Sequence, residues 1–196
     1  ISYLENNFTS LNTCSRILFP RTDKVILFIK IIIMNIKIKN HLLYYRSYKL
    51  KCSIGKSGIK REKKEGDSAT PKGIFSLGTL YYRKDRIKLP KCKINKKIIK
   101  KNMGWCDDIR SSKYNREIKF PFKYNAEHLY RKSKNYDIFI NIKYNFNPTI
   151  KKKGSAIFLH ISNKKYKPTK GCIAILKKDF LKIIPKINKN TKILIN

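Results

Sequence analysis

Ile36-Lys37-Ile38-Lys39 alternates apolar and charged residues with a period of two, and related short apolar runs recur along the rest of the chain. Leu42-Leu43-Tyr44-Tyr45 and Tyr48-Lys49-Leu50-Lys51-Cys52 follow and end at Gly55. Successive side chains of a strand point to opposite faces, so this pattern predicts half-buried strands joined as hairpins. Lys56 to Ser68 is polar and charged and reads as a loop. Thr70-Pro71-Lys72-Gly73 reads as a turn, with a strand beginning at Ile74-Phe75-Ser76-Leu77. Residues 83–101 are basic and read as irregular. Gly104 to Pro121, which carries Trp105, Cys106, Asp107, Asp108, Tyr114 and Asn115, reads as a long ordered loop held by side-chain hydrogen bonds.

Tyr136 to Ile142 predicts a strand. Ala156-Ile157-Phe158-Leu159-His160 predicts a buried strand that ends in a histidine. After Gly171-Cys172 comes Ile173-Ala174-Ile175-Leu176. Asp179 is expected to cap a short helix with Phe180, Leu181, Ile183 and Ile184 inward, which Pro185 stops. Lys192-Ile193-Leu194-Ile195 closes the chain as a strand. The fold class expected is mainly β, with one or two short helices and no internal repeat.

Residues 1–33 read differently. Val25-Ile26-Leu27-Phe28-Ile29 and Ile31-Ile32-Ile33 form an apolar run broken by Lys30, too short for a transmembrane helix. No small-residue cleavage site follows it. Residues 1–33 are therefore expected to lie upstream of the fold, with Met34 as a plausible start and a single domain over 34–196. That length suffices for one core.

The 47 Lys and Arg against 12 Asp and Glu give a formal charge of +35. Such a charge raises the question of a nucleic-acid partner. Lys, Ile and Asn nevertheless dominate evenly, even inside strand-like runs. An even bias describes a solvated surface better than a binding stripe, and no nucleic-acid recognition motif is present. A carboxylate-rich polymer would feel the same field. An aromatic content of 12% argues against wholesale disorder.

Five cysteines are present, Cys14, Cys52, Cys92, Cys106 and Cys172. The count is odd, no CxxC pair exists, and no histidine lies at zinc-finger spacing. Neither a disulfide framework nor a metal site is expected. Cys172 differs in its surroundings. A thiol becomes a good nucleophile only as thiolate, and its ordinary pKa of about 8.5 calls for a nearby base. Gly171 permits a sharp turn that can aim backbone N–H groups at one point, as an oxyanion requires. His160 lies one loop upstream, and Thr169 sits where it can hydrogen-bond near the pair. On these residues alone, a buried small apolar cysteine and a satisfied strand-end histidine are the favoured reading.

The run His160-Ile-Ser-Asn-Lys-Lys-Tyr-Lys-Pro-Thr-Lys-Gly-Cys172-Ile173 resembles the signature of the L,D-transpeptidase catalytic domain, the YkuD-type fold. There a His is followed by a loop and then Ser/Thr-x-Gly-Cys. Thr70-Pro71-Lys72-Gly73-Ile74-Phe75 resembles the family's Thr-Pro-x-Gly-x-Phe segment. Gly104-Trp105-Cys106-Asp107-Asp108 and Ser155 to His160 are similar to a bacterial branch that consists of little more than this domain. The resemblance covers about residues 50–196. It implies a β-sandwich or barrel-like domain with Cys172 as nucleophile, His160 as base and backbone amides around Gly171 and Cys172 as oxyanion donors. The substrates it implies are peptidoglycan stem peptides, with no cofactor, no metal and no specific nucleic acid. The reaction is transfer to an amine, or to water in an L,D-carboxypeptidase. Many members carry Arg where this chain has Ala174, so another cation is expected to meet the substrate carboxylate: Lys170, Arg110 or Arg116. Thr169 and Trp105 are further expected substrate contacts, although Trp105 and its neighbouring tyrosines fit a core equally well. Asp107 is expected to anchor its loop through backbone N–H groups. Cys52, Cys92 and Cys106 read as structural, and His128 as a surface or loop-packing residue ahead of a second base. A monomer is expected, with no membrane span. The family role implies the periplasm or cell envelope, while the lack of a clear signal peptide leaves the cytoplasm open.

Overall fold

The computed structural model describes residues 35–196, so the apolar run at 25–33, the expected boundary at Met34 and Cys14 lie outside the described residues. The described residues open with a meander of β1 (Ile36–Lys39), β2 (Leu42–Tyr45) and β3 (Tyr48–Lys51). Asn40 and His41 join the first two strands, both at positive φ, 50° and 58°. A two-residue hairpin loop needs that conformation to match the strand twist, and asparagine tolerates it well. Two short strands, β4 (Ile59–Lys60) and β5 (Thr70–Pro71), then pair in parallel. The ten-residue β6 (Gly73–Tyr82) follows, and β7 (Lys96–Ile98) lies parallel to its second half. A three-stranded layer comes next, β8 (Met103–Cys106), β9 (Glu117–Lys119) and β10 (Ala126–His128), in the order β10-β8-β9. The last part is β11 (Ile138–Ile142), β12 (Phe158–Ile161), β13 (Ile173–Ile175), a single α-helix α1 (Lys177–Ile183) and β14 (Lys192–Ile195).

The main sheet runs β13-β12-β11-β6-β14-β1-β2-β3, with β7 alongside β6. Its ends nearly meet. Just past β3, Ser53 exchanges two backbone hydrogen bonds with Ala174 of β13, 2.8 and 3.0 Å. The result is a barrel-like sheet, and the domain is mainly β. Closure satisfies edge groups that would otherwise be unpaired. Inside lie Ile36, Ile38, Leu43, Ile140, Leu159, Ile173 and Ile193, together with Phe180 and Ile183 from α1.

β11 is buried at every position, because both of its faces are covered. Ile138, Ile140 and Ile142 face the barrel interior. Phe139 faces outward into a second core with Tyr81, Trp105, Tyr136 and Phe158, beneath β8–β10. There Phe139 stacks on Tyr81 at 4.8 Å, and Trp105 meets Phe158 edge-on at 5.1 Å.

Three sequence expectations need correction. The stretch 104–121 is not one loop, since Gly104 pairs with Ile118 and Trp105 with Glu117 in an antiparallel ladder. The basic stretch 83–101 contains β7, whose residues are all exposed and so leave no apolar alternation to read. Asp179 does not cap α1. Leu176 stands at the N-cap without a side-chain bond, and Asp179 is buried in the first turn, where its charge still suits the helix dipole.

Candidate active site

β12 and β13 are adjacent and parallel, with Leu159 opposite Ile173 and His160 opposite Ala174. Residues two apart on a strand share a face. His160 therefore points to the same outer side as Phe158, and Cys172 packs against that second core. Both residues line one groove of about 720 Å³. Sequence reading had offered these two residues as a pair, and the ladder gives the reason they line the same groove.

The turn before Cys172 is held from several sides. Gly171 adopts φ +132°, and a Cβ there would lie 2.8 Å from the Ala69 carbonyl oxygen. The buried Thr70 hydroxyl donates to the Gly171 carbonyl at 2.9 Å and accepts from the Gly55 N–H at 2.8 Å. The Thr70-Pro71 motif thus supports the Gly-Cys turn from 101 residues away in the chain, a role the sequence did not reveal. Thr169 Oγ1 donates to the Cys172 carbonyl at 2.6 Å and accepts from the Gly171 N–H at 3.1 Å. Gly171→Ala is expected to cost about 1–3 kcal/mol through φ strain, with the clash at Ala69 added. It should also displace Cys172. A lowered urea midpoint together with slowed thiol alkylation checks this, and unchanged values for both would refute it.

Cys172 Sγ donates to the Ala156 carbonyl at 3.2 Å and accepts from the Phe158 N–H at 3.3 Å. Burial, reinforced by the Glu127 carboxylate, pushes the thiol up to about 12. His160 is 7% exposed, and burial, with Arg131 nearby, lowers its pKa to about 4. Its Nδ1 lies 2.9 Å from the Ile161 carbonyl. A carbonyl only accepts, so Nδ1 carries the proton and Nε2 is left with a free lone pair. Tyr136 meets the imidazole edge-on at 5.4 Å and donates its hydroxyl to Glu127 at 2.9 Å. In the free protein the pair is thus a neutral thiol and a neutral imidazole.

Residues 30–195 match the family model described as the L,D-transpeptidase catalytic domain. The chain belongs to the L,D-transpeptidase family. That family is cysteine-dependent and acts on peptidoglycan, so the protein is an enzyme of this class. No curated protein and no solved structure matched the chain.

The other expected site residues divide. Lys170 and Thr169 line the groove, but the Thr169 hydroxyl is committed to the turn. The Gly171 amide, one of two expected oxyanion donors, is taken by that same hydroxyl. Trp105 is not a groove residue. It is 3% exposed, and its indole N–H donates to Asn115 Oδ1 at 3.0 Å. Arg110 is also outside the groove, its guanidinium bound twice to Asp108, 2.9 and 2.6 Å. Arg116 reaches the Phe146 carbonyl and lies 4.3 Å over that ring. The loop anchor is Asp108, which accepts from the Arg110 and Asn125 backbone N–H groups, whereas Asp107 accepts from the Asn125 side chain.

Cys106 is fully buried, and Cys52 is buried with its pKa raised to about 12. His128 is exposed and stacks on Phe120. Sequence reading gave no site role to Ala156, which lies in the Ser155 to His160 segment, and missed Tyr136, Glu65 and Arg131, which carry no motif signal of their own. Among the described residues no group of His, Cys, Asp and Glu could hold a metal ion, and no helix is long and apolar enough to cross a membrane.

Proposed function

We propose that this enzyme forms a thioester between Cys172 and the third residue of a peptidoglycan tetrapeptide stem, releases D-alanine, and passes the acyl group to an amine of a second stem. The observation that carries the reading is the presence of Cys172 and His160 in the lining of one groove, the imidazole held in the tautomer that leaves Nε2 free to accept a proton. The thiol turns from the Ala156 carbonyl and gives its proton to Nε2 as Sγ bonds to the stem carbonyl carbon. The C–N bond breaks, and the imidazolium proton goes to the departing D-alanine amine. The acceptor amine then attacks the thioester carbonyl. Its proton passes to His160, the C–S bond breaks, and the thiol is restored. With the Gly171 amide engaged by Thr169, the Cys172 N–H is the turn's remaining oxyanion donor.

This order of events suits the two pKa shifts. Burial opposes a resting thiolate–imidazolium pair, so charge develops only when a substrate carbonyl is present to take the sulfur's electron pair. Peptidoglycan as substrate places the work in the cell envelope.

Incubation with a defined disaccharide-tetrapeptide, with products resolved by mass, tests the reading. Release of D-alanine with a 3→3 cross-linked dimer is expected. Tripeptide without dimer would assign the same site to an L,D-carboxypeptidase, and retention of D-alanine on the stem would overturn both.

A further inference from the structure

A second groove, of about 500 Å³, lies on the outer face of β6 and β11 and shares no lining residue with the groove that holds Cys172. A β-bulge sets its floor. β11 pairs with β6 through Ile140–Leu80 and Ile142–Leu77, so two residues of β6, Gly78 and Thr79, face the single Asn141. A bulge of this kind re-aims a side chain. Gly78 is required there, since a Cβ would lie 2.1 Å from Asn141 Oδ1. Asn141 lines the groove, is 5% exposed, and its Oδ1 has no hydrogen-bond partner among the described residues. A buried carboxamide oxygen without a donor is costly unless a ligand or a water completes it.

Independently, the charge around this floor is positive. Lys113, Arg116 and Lys143 line the groove, and none of the three has an ion pair with a described residue. The Arg116 guanidinium donates to the Asn115 and Phe146 carbonyls, neutral groups that leave its charge in place. Glu117, the acid of this lining, is already engaged by Lys97 at 2.6 Å and by the Tyr81 hydroxyl at 2.8 Å. In a chain with 47 Lys and Arg, cations alone mark no site. The unpartnered carboxamide among them does, because a solvated surface has no need of it.

We propose that this second groove binds a phosphorylated sugar unit. The phosphate meets Lys113, Arg116 and Lys143, of which the two lysines are exposed, and ring hydroxyls meet Asn141 and Thr79 at the bulge. A carboxamide both accepts and donates, so Oδ1 takes a hydrogen bond from one hydroxyl while Nδ2 gives one to its neighbour. Inorganic phosphate would engage the charges alone, and a neutral sugar would leave them unused. A volume of about 500 Å³ suits one sugar ring with its phosphate. The ligand is a free sugar phosphate or one phosphodiester-linked unit of a polymer. The site is separate from the acyl-transfer chemistry and does not depend on it.

The test is calorimetric titration of the wild-type protein, at fixed ionic strength, with glucose 6-phosphate, glucose and inorganic phosphate. Glucose 6-phosphate is expected to bind about tenfold more tightly than either of the others. Asn141→Leu nearly keeps the side chain's shape and removes the unpartnered oxygen. Its thermal midpoint should hold or rise while the preference over inorganic phosphate is lost. Lys143→Gln, at an exposed position, should weaken glucose 6-phosphate binding about threefold. Lys178→Gln, an exposed cation outside the groove, should leave it unchanged. Equal affinity for glucose 6-phosphate and inorganic phosphate, or no binding of either, would overturn the site and leave Asn141 to a buried water. A preference that survives Asn141→Leu would overturn it too. Should that variant not melt cooperatively, Thr79→Val decides in its place by the same two outcomes. The methyl phosphodiester of glucose 6-phosphate then assigns the source. Equal binding supports the site with a polymer unit as ligand, and lost binding supports it with the free sugar phosphate. A short single-stranded oligonucleotide that binds more tightly than glucose 6-phosphate, and loses that advantage in Asn141→Leu, would give the groove to nucleic acid and overturn the proposal.

Discussion

Cys172→Ser is expected to abolish the acyl-enzyme and to lower turnover by at least about 10³-fold, while the fold persists. The change is close to isosteric, and the serine hydroxyl can keep the bond to the Ala156 carbonyl that the thiol makes at 3.2 Å. The chemistry does not survive. Burial and the Glu127 carboxylate already push the thiol up to about 12, and an alcohol in the same place is harder still to deprotonate. Intact-protein mass spectrometry with the tetrapeptide stem checks this directly. The wild type should gain the stem mass less D-alanine, and Cys172→Ser should gain nothing. Cys106→Ser should behave as wild type, because Cys106 is fully buried and lies outside the groove. An adduct that persists in Cys172→Ser, or disappears only in Cys106→Ser, would move the nucleophile elsewhere.

The sequence made Cys172 and His160 legible for a local reason. They lie in one short segment, and a strand, a loop and a Gly-Cys turn leave few ways to arrange it. The strands of the barrel were legible where one face is wet, as at Ile36 and Ile38, because alternation survives there. β7 was not, since its three residues are all exposed and pairing with β6 alone makes it a strand. Trp105 and Arg110 show the harder limit. Both sit in a segment with the composition of a binding loop. Yet which way a side chain faces depends on register across strands far apart in sequence. Pairing of Trp105 with Glu117 turns its side chain into the second core, and Asp108 captures Arg110 two residues away. The support given by Thr70 to the Gly171 carbonyl was invisible for the same reason.

Activity is expected to hold on the acid side well below the ordinary histidine range and to fall only as pH approaches about 4. His160 must be neutral to accept the thiol proton, and burial lowers its pKa from 6.5 to about 4. The enzyme's acid limb should therefore lie near 4, in place of the 6 to 7 expected of a solvated imidazole–thiol pair. His160→Gln should lose about 10²–10⁴-fold at neutral pH. Its residual activity should climb steadily with alkali, as thiolate then forms without a base. Stability should follow the same group. Because the folded pKa lies below the unfolded value, the unfolded chain binds the proton first. The contribution is whole above about 6.5 and is lost as pH falls toward about 4, up to about 3 kcal/mol. The carboxylates of Asp67, Asp85 and Asp108 are held below their usual range by their partners, so their loss belongs to a lower pH, while the Asp107 carboxyl, raised by burial, takes up its proton first in the folded chain and offsets part of the His160 loss. Urea midpoints measured at pH 7.5 and 4.5 should differ in the wild type and much less in His160→Gln. A wild-type acid limb near 6.5, with a midpoint indifferent to pH over that interval, would show that His160 is solvated and titrates in its ordinary range.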